Sequence, residues 1–276
     1  MTPAAPGCDA GVAPAAPGRG QTVRVDPIDL NADLGEGFGR WTLTDDDALL
    51  SVVTSANVAC GFHAGDPSTM RRVCERAVEA GVRIGAQVSY RDLAGFGRRA
   101  MDVPSDELAD EMTYQIGALA AFATAAGDRV RYVKPHGALY NRIVADDEQA
   151  AAVVAGVVRA GGDLPILALP GSAVLAYAVE AGLPTVTEGF VDRAYEPDGT
   201  LVSRRRPGAV LDDEAAIVDQ AVRLACSGEV VTVDGTVISV RPRSLCLHGD
   251  TPGAAALAVA VRRALTEAGA AIAPFA

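Results

Sequence analysis

Three histidines, His63, His136 and His248, and a single lysine, Lys134, are the side chains here best suited to proton transfer, metal ligation or anion binding. The other 23 of the 24 basic residues are arginine, so the one retained lysine marks a place for a compact charge or an amine of tunable pKa. Each of the three histidines lies within two residues of glycine and near an acid or the lysine, just after an apolar run. Other polar residues recur in the same setting. Asn31, Asp33 and Glu36 follow one run, and Asn57, His63 and Asp66 the next. Gln87, Ser89, Tyr90 and Asp92 follow a third, and Lys134 and His136 a fourth. Glu188, Asp192 and Arg193 then His248 and Asp250 close the series. Chemistry gathered after successive strands is the signature of a parallel βα array, whose active site sits at the carboxyl ends of the strands.

The elements that must position these residues alternate along the chain. Strands are expected at Val25 to Leu30, Ala56 to Cys60, Val82 to Val88, Val130 to Val133, Ile166 to Leu169, Thr185 to Thr187 and Ser244 to Leu247. Thr44 and Asp47 have capping-box spacing and open one helix. Asp66 before Pro67, an apolar stripe through Met70, Val73, Ala77 and Val78, and Gly81 define the best-marked helix. Further helices are expected from Ser105 to Gly127, Asp147 to Ala160, Ser172 to Ala181, Asp212 to Ser227 and Pro252 to Ala268. Asp234-Gly235 between β-branched residues marks a hairpin inserted at Val230 to Val240. The pattern predicts a single-domain, distorted TIM-like (β/α) barrel of about seven βα units over residues 28–276. A doubly wound open sheet is the alternative, because both folds bury parallel strands.

Composition excludes other classes. Of 276 residues 49% are hydrophobic and the net charge is -11, which disfavours nucleic acid and anionic membranes as partners and leaves small molecules and proteins. Residues 1–27, rich in Ala, Pro and Gly, are expected to form a disordered tail. They lack the basic start and apolar core of a secretory signal. Five cysteines with no C-x-x-C pair fit reduced thiols and a cytoplasmic location. Gly35, Gly37 and Gly39 follow a strand but do not form a dinucleotide or P-loop motif, and no G-x-S-x-G or H-E-x-x-H occurs. No nucleotide-binding or metal-ligating residues are therefore assigned. Some features have plainer readings: Asp66 as a helix cap, and Arg98-Arg99 and Arg204 to Arg206 as solvated surface.

Four segments carry a resemblance: Asp29-Leu-Asn-Ala-Asp-Leu-Gly-Glu36, Ala56-Asn-Val-Ala-Cys-Gly-Phe-His-Ala-Gly-Asp-Pro67, Val133-Lys-Pro-His-Gly-Ala-Leu-Tyr-Asn141 and Cys246-Leu-His-Gly-Asp250. In order and spacing the chain from about residue 28 resembles the LamB/YcsF family, the A subunits of 5-oxoprolinase. The resemblance implies a barrel related to sugar deacetylases and the ATP-dependent opening of 5-oxo-L-proline, or pyroglutamate, to L-glutamate. It also implies ATP as co-substrate and 5-oxoprolinase subunits B and C as partners, and it adds Tyr140 and Asn141 to the substrate-binding candidates. Many relatives have Gly-Ala-His-Pro-Ser where this chain reads Gly85-Ala-Gln-Val-Ser89, so the amide of Gln87 stands where they carry an imidazole.

Lactam hydrolysis coupled to phosphorylation needs a base for water, cations for phosphate and carboxylate, and a proton donor for the ring nitrogen. The sequence offers Asp33 or Asp66 with His63 as base, Lys134 as cation, and His136 or a His248–Asp250 pair as acid. Asn31, Glu36, Asn57, Gln87, Ser89, Tyr140, Asn141, Glu188, Asp192 and Arg193 are then the binding residues. Two other classes fit the same residues. One is a metal-dependent amidohydrolase or deacetylase using His63, His136, His248 and the acids, and the other a non-catalytic substrate-binding subunit.

Overall fold

The computed structural model describes residues 27–250 and 253–276, so the expected tail up to residue 26, and Pro252 at the expected start of the last helix, lie outside the described residues. The strands are β1 (Asp29–Leu34), β2 (Ser55–Ala59), β3 (Arg83–Val88), β4 (Val130–Pro135), β5 (Ile166–Ala168), β6 (Thr185–Phe190), β7 (Glu229–Val231), β8 (Val237–Ser239) and β9 (Ser244–Leu247). The helices are α1 (Asp46–Leu50), α2 (Pro67–Ala80), α3 (Ser105–Ala125), α4 (Gly137–Arg142), α5 (Asp147–Arg159), α6 (Ala173–Glu180), α7 (Glu214–Cys226) and α8 (Ala254–Glu267). Seven strands pair in parallel and close in the order β1-β2-β3-β4-β5-β6-β9, while β7 and β8 form the separate antiparallel hairpin. The closed barrel excludes the open-sheet alternative.

Helices wrap the outside with apolar stripes. α2 buries Met70, Val73, Cys74 and Ala77 on the expected face, starts on the Asp66 cap and ends at Gly81 with φ 71°. α3 buries Leu108, Met112, Ile116 and Leu119, each worth about 1.5–3 kcal/mol of transfer from water. In β1 the apolar Leu30, Ala32 and Leu34 alternate with Asp29, Asn31 and Asp33, and all six are buried. The side chains of the polar set bond across the barrel, Asn31 to Glu188 of β6 and Ser244 of β9, so the polar face points inward.

That inversion explains the main boundary errors. The start of the first expected strand, at Val25, lies outside the described residues, and β1 runs on past Leu30 through Asn31 and Asp33, which lie inside the strand rather than after it. β4 likewise extends through Lys134, and β6 through Glu188. α1 is capped by the Asp45 carboxylate, which accepts from Ala48 N–H, rather than by Thr44, whose hydroxyl donates instead to Asp46 at 2.6 Å. α4 was not anticipated: its six residues are too few to show a helical period.

A TIM barrel is ordinarily filled by layers of Val, Ile and Leu; this one is filled largely by a hydrogen-bonded polar column. At its base Asp29 accepts from Thr54 at 2.7 Å, Ser55 at 2.6 Å and Ser244. In the middle Asn57 donates to Asn31 at 2.7 Å, and Tyr132 donates to Asn57 Oδ1 at 2.7 Å. Gly85 makes room for that tyrosine, since a Cβ there would lie 2.2 Å from its ring. At the top stand Asp33, Lys134 and Glu188.

Candidate active site

Lys134 is the centre of the barrel mouth. Its ammonium donates to Asp33 Oδ1 at 2.8 Å and Cys246 Sγ at 2.9 Å and lies 3.2 Å from Glu188 Oε1. An ammonium has three donors, and these partners take all of them. Glu188 also accepts from Asn31 at 3.1 Å and Tyr140 at 2.9 Å, and Asp33 from Asn57 at 2.9 Å. Burial would raise Asp33, but the Lys134 charge overrides it and holds this carboxyl well below the usual range. Burial pushes Glu188 up despite the same lysine. The lysine thus fixes one ionised carboxylate at the mouth and anchors a second.

Beside this group is a closed compartment. Gln87 Nε2 donates to Glu36 Oε1 at 3.0 Å and to His136 Nδ1 at 2.9 Å, while Gln87 Oε1 lies 3.2 Å from His63 Nε2. His136 Nε2 is 3.1 Å from the Phe96 carbonyl, which assigns the proton to Nε2 and leaves Nδ1 as an acceptor. The two imidazoles stack with centroids 4.1 Å apart and planes 14° from parallel. Burial lowers the pKa of both. Glu36 is pushed well up by burial and by the charges of Asp33 and Asp250. Phe96, at φ 55°, and Gly97 form the lid; a Cβ on Gly97 would lie 2.3 Å from Ser89 Oγ and 3.0 Å from His63 Cβ.

The mouth opens into a cavity of about 730 Å³ whose wall includes Asp33, His136, Tyr140, Phe190 and His248. His248 Nδ1 lies 2.9 Å from Asp192 Oδ1, and Asp192 Oδ2 accepts the His248 backbone N–H at 3.1 Å. Asp192 is buried completely, yet the pair with His248 lowers its pKa against that burial. A carboxylate on Nδ1 fixes the tautomer and aims Nε2, the arrangement of an acid–base histidine. Arg98, Arg204 and Arg205 line the outer part of the cavity.

Several sequence expectations are redirected. His248 pairs with Asp192, not Asp250, because Asp250 is held by Arg98 at 2.6 Å. Asp66 stands apart from the cluster; its carboxylate accepts from Ser68 N, Thr69 N, Thr69 Oγ1 and Gly39 N, which leaves the cap role. Asn31 and Asn57 lie below the mouth in the polar column, and the Arg193 fork is spent on the carbonyls of Ala209 and Val202. Asn141 and Tyr140 line the cavity, whereas Glu36, Gln87, Ser89 and His63 lie behind His136. His248 is not part of the His63–His136 group, so the three histidines form no common metal site. Sequence reasoning missed Cys246 and took Arg98 and Arg204 for surface; the signal for Cys246 was its place in the last apolar run. Asp66→Ala is expected to cost about 0.5–2 kcal/mol of stability by uncapping α2. Denaturant unfolding measures it, and a loss of turnover without loss of stability would restore a catalytic role.

These features define a closed (β/α) barrel with acid–base groups at one mouth. The LamB/YcsF family model matches residues 28–276, and the chain belongs to that family. The 5-oxoprolinase A subunit of Streptomyces coelicolor is 70% identical over 249 residues, 90% of this chain and 100% of the relative. That of Mycobacterium marinum is 60% identical over 88% of this chain and 96% of its own. The crystal structure of the lactam utilization protein from Thermus thermophilus superposes with a TM-score of 0.86 at 40% identity, covering 91% of this chain and 100% of that one.

Proposed function

We propose that this chain opens the lactam of 5-oxo-L-proline to L-glutamate as the A subunit of an ATP-dependent 5-oxoprolinase, in the cytoplasm, together with B and C subunits. The observation that carries the reading is the 70% identity to a protein of that name over 90% of the chain. The mouth supplies groups the reaction requires. No described helix is long and apolar enough to cross a membrane, and the described cysteines are free, in keeping with the proposed location.

A lactam carbon is a poor electrophile until its oxygen is phosphorylated. Transfer of the γ-phosphoryl group of ATP to that oxygen, with ADP leaving and His248 Nε2 taking the proton of the ring nitrogen, makes an imidate that water can attack. Asp33 takes a proton from the water as its oxygen bonds to the ring carbon. His248, steadied by Asp192, returns the ring proton to the nitrogen as the water adds, and the carbon–nitrogen bond then breaks as the hydroxyl formed on the carbon gives its proton to the leaving amine. A second water cleaves the resulting acyl phosphate to glutamate and phosphate. Arg98 and Arg204 face the cavity as cations for the phosphate and carboxylate.

The test is glutamate formation from 5-oxoproline and ATP, with this chain alone and with B and C subunits, wild type beside His248→Gln. Turnover that requires all three proteins and falls about 10²-fold or more in the folded variant supports the reading. Equal turnover by variant and wild type would make the chain a binding subunit, and no turnover in any mixture would reject the activity.

A further inference from the structure

The closed compartment behind His136 has more lone pairs than donors. Glu36 Oε1 lies 3.6 Å from His136 Nδ1 and 3.8 Å from His63 Nε2. Asp33 Oδ2 stands 3.6 Å from the same His136 nitrogen. Into Glu36 and His136 the Gln87 amide donates, and His63 Nε2 in turn donates to Gln87 Oε1. Glu36 Oε2 is buried with no hydrogen-bond partner, and so are His63 Nδ1 and Ser89 Oγ in the same compartment. Such orphaned groups cost about 1–3 kcal/mol each and call for a water or ion. The acids are also unequally served: the buried ammonium of Lys134 contacts Asp33 and Glu188 and does not reach Glu36.

From this arrangement we infer that Glu36, His63 and His136 bind one divalent transition-metal ion of the zinc type. One ligand atom from each lies within 4.8 Å of the others. Bonds of about 2.0–2.2 Å in a tetrahedron set ligand atoms about 3.3–3.6 Å apart, so the Glu36–His136 and Glu36–His63 separations of 3.6 and 3.8 Å are within a few tenths of an ångström of that spacing, and the two stacked imidazoles must turn out of their stack to aim both lone pairs at one ion. Two imidazoles and a carboxylate are borderline donors, which suit zinc, cobalt or nickel better than calcium or magnesium. The outer partner is in place, since the Phe96 carbonyl takes the Nε2 proton of His136 and frees Nδ1 for the metal. Gln87 occupies the gap between the ligands; a half-turn of its amide exchanges a donor for an oxygen at the fourth position.

The inference concerns the chain alone and holds whichever way the lactam assay falls. Chain stripped with a chelator and titrated with Zn²⁺, then Co²⁺, is expected to bind one equivalent. X-ray absorption of the zinc-loaded wild type is expected to show two imidazoles with oxygen ligands and no sulfur. Glu36→Gln and His63→Gln, folded by circular dichroism, are expected to bind at least about 10-fold more weakly. Absence of stoichiometric binding, a sulfur-containing ligand set, or unchanged affinity in both folded variants would overturn it. Should either variant fail to fold, the wild-type stoichiometry and ligand set decide alone.

Discussion

Lys134→Met is expected to lower the unfolding free energy by about 3–5 kcal/mol, the loss seen when one partner of a buried ion pair is removed. For a chain of this size that is a drop in Tm of about 6–20 °C. The substitution leaves Asp33 and Glu188, both almost wholly inaccessible, facing each other without their cation, and Cys246 Sγ without its donor. Adding Glu188→Gln to Lys134→Met removes one of the two stranded charges and is expected to recover part of the loss, so a thermal-melt double-mutant cycle reads the coupling directly. Additive effects would mean that Lys134 does not hold the two carboxylates together. The expectation departs from the sequence reading, in which Lys134 meets the substrate: with its donors engaged inside the chain, its contribution is to keep Asp33 ionised and in place.

How far the sequence foretold this can be judged element by element. α2 was legible almost to the residue, because a cap, a proline, an apolar stripe and a terminal glycine are local signals that tertiary packing did not override. The inserted hairpin was legible for the same reason, through Asp234-Gly235. The end of β1 was misplaced because periodicity assumes that the inward face is apolar, and here the inward face carries Asp29, Asn31 and Asp33. The polar column that replaces an aliphatic core is a cooperative property of several strands, and no single strand announces it. The strand-end rule did gather the mouth residues, but partner assignments failed where a neighbour in sequence competed with one in space. Asp250, two residues from His248, was chosen over Asp192, and the structure joins His248 to Asp192 at 2.9 Å. Arg98 looked like surface because its acidic partner is 152 residues away.

The second large effect is at Asp33. Asp33→Asn is nearly isosteric, and its amide oxygen can still accept from Lys134 and Asn57, as Asp33 Oδ1 does at 2.8 and 2.9 Å. What it loses is the free basic oxygen, Oδ2, which lies 3.6 Å from the acceptor nitrogen His136 Nδ1 and takes no hydrogen bond from the described residues. The expected result in the reconstituted complex is a fall in kcat of about 10²–10⁴-fold, the usual contribution of a general base, with KM for 5-oxoproline changed much less. Stability supplies an independent readout. Lys134 holds Asp33 well below the usual carboxylate range, so its ionised form contributes stability that is complete above the unfolded value, about 3.9, and is lost as the pH falls through the lower folded value. The asparagine variant lacks that titration, so its unfolding free energy is expected to vary less steeply with pH on the acid side than that of the wild type. A variant that keeps the wild-type kcat while showing the flattened acid profile would separate the two roles: Asp33 would then be the structural counter-ion of Lys134, and the base would have to be sought at another wall of the cavity.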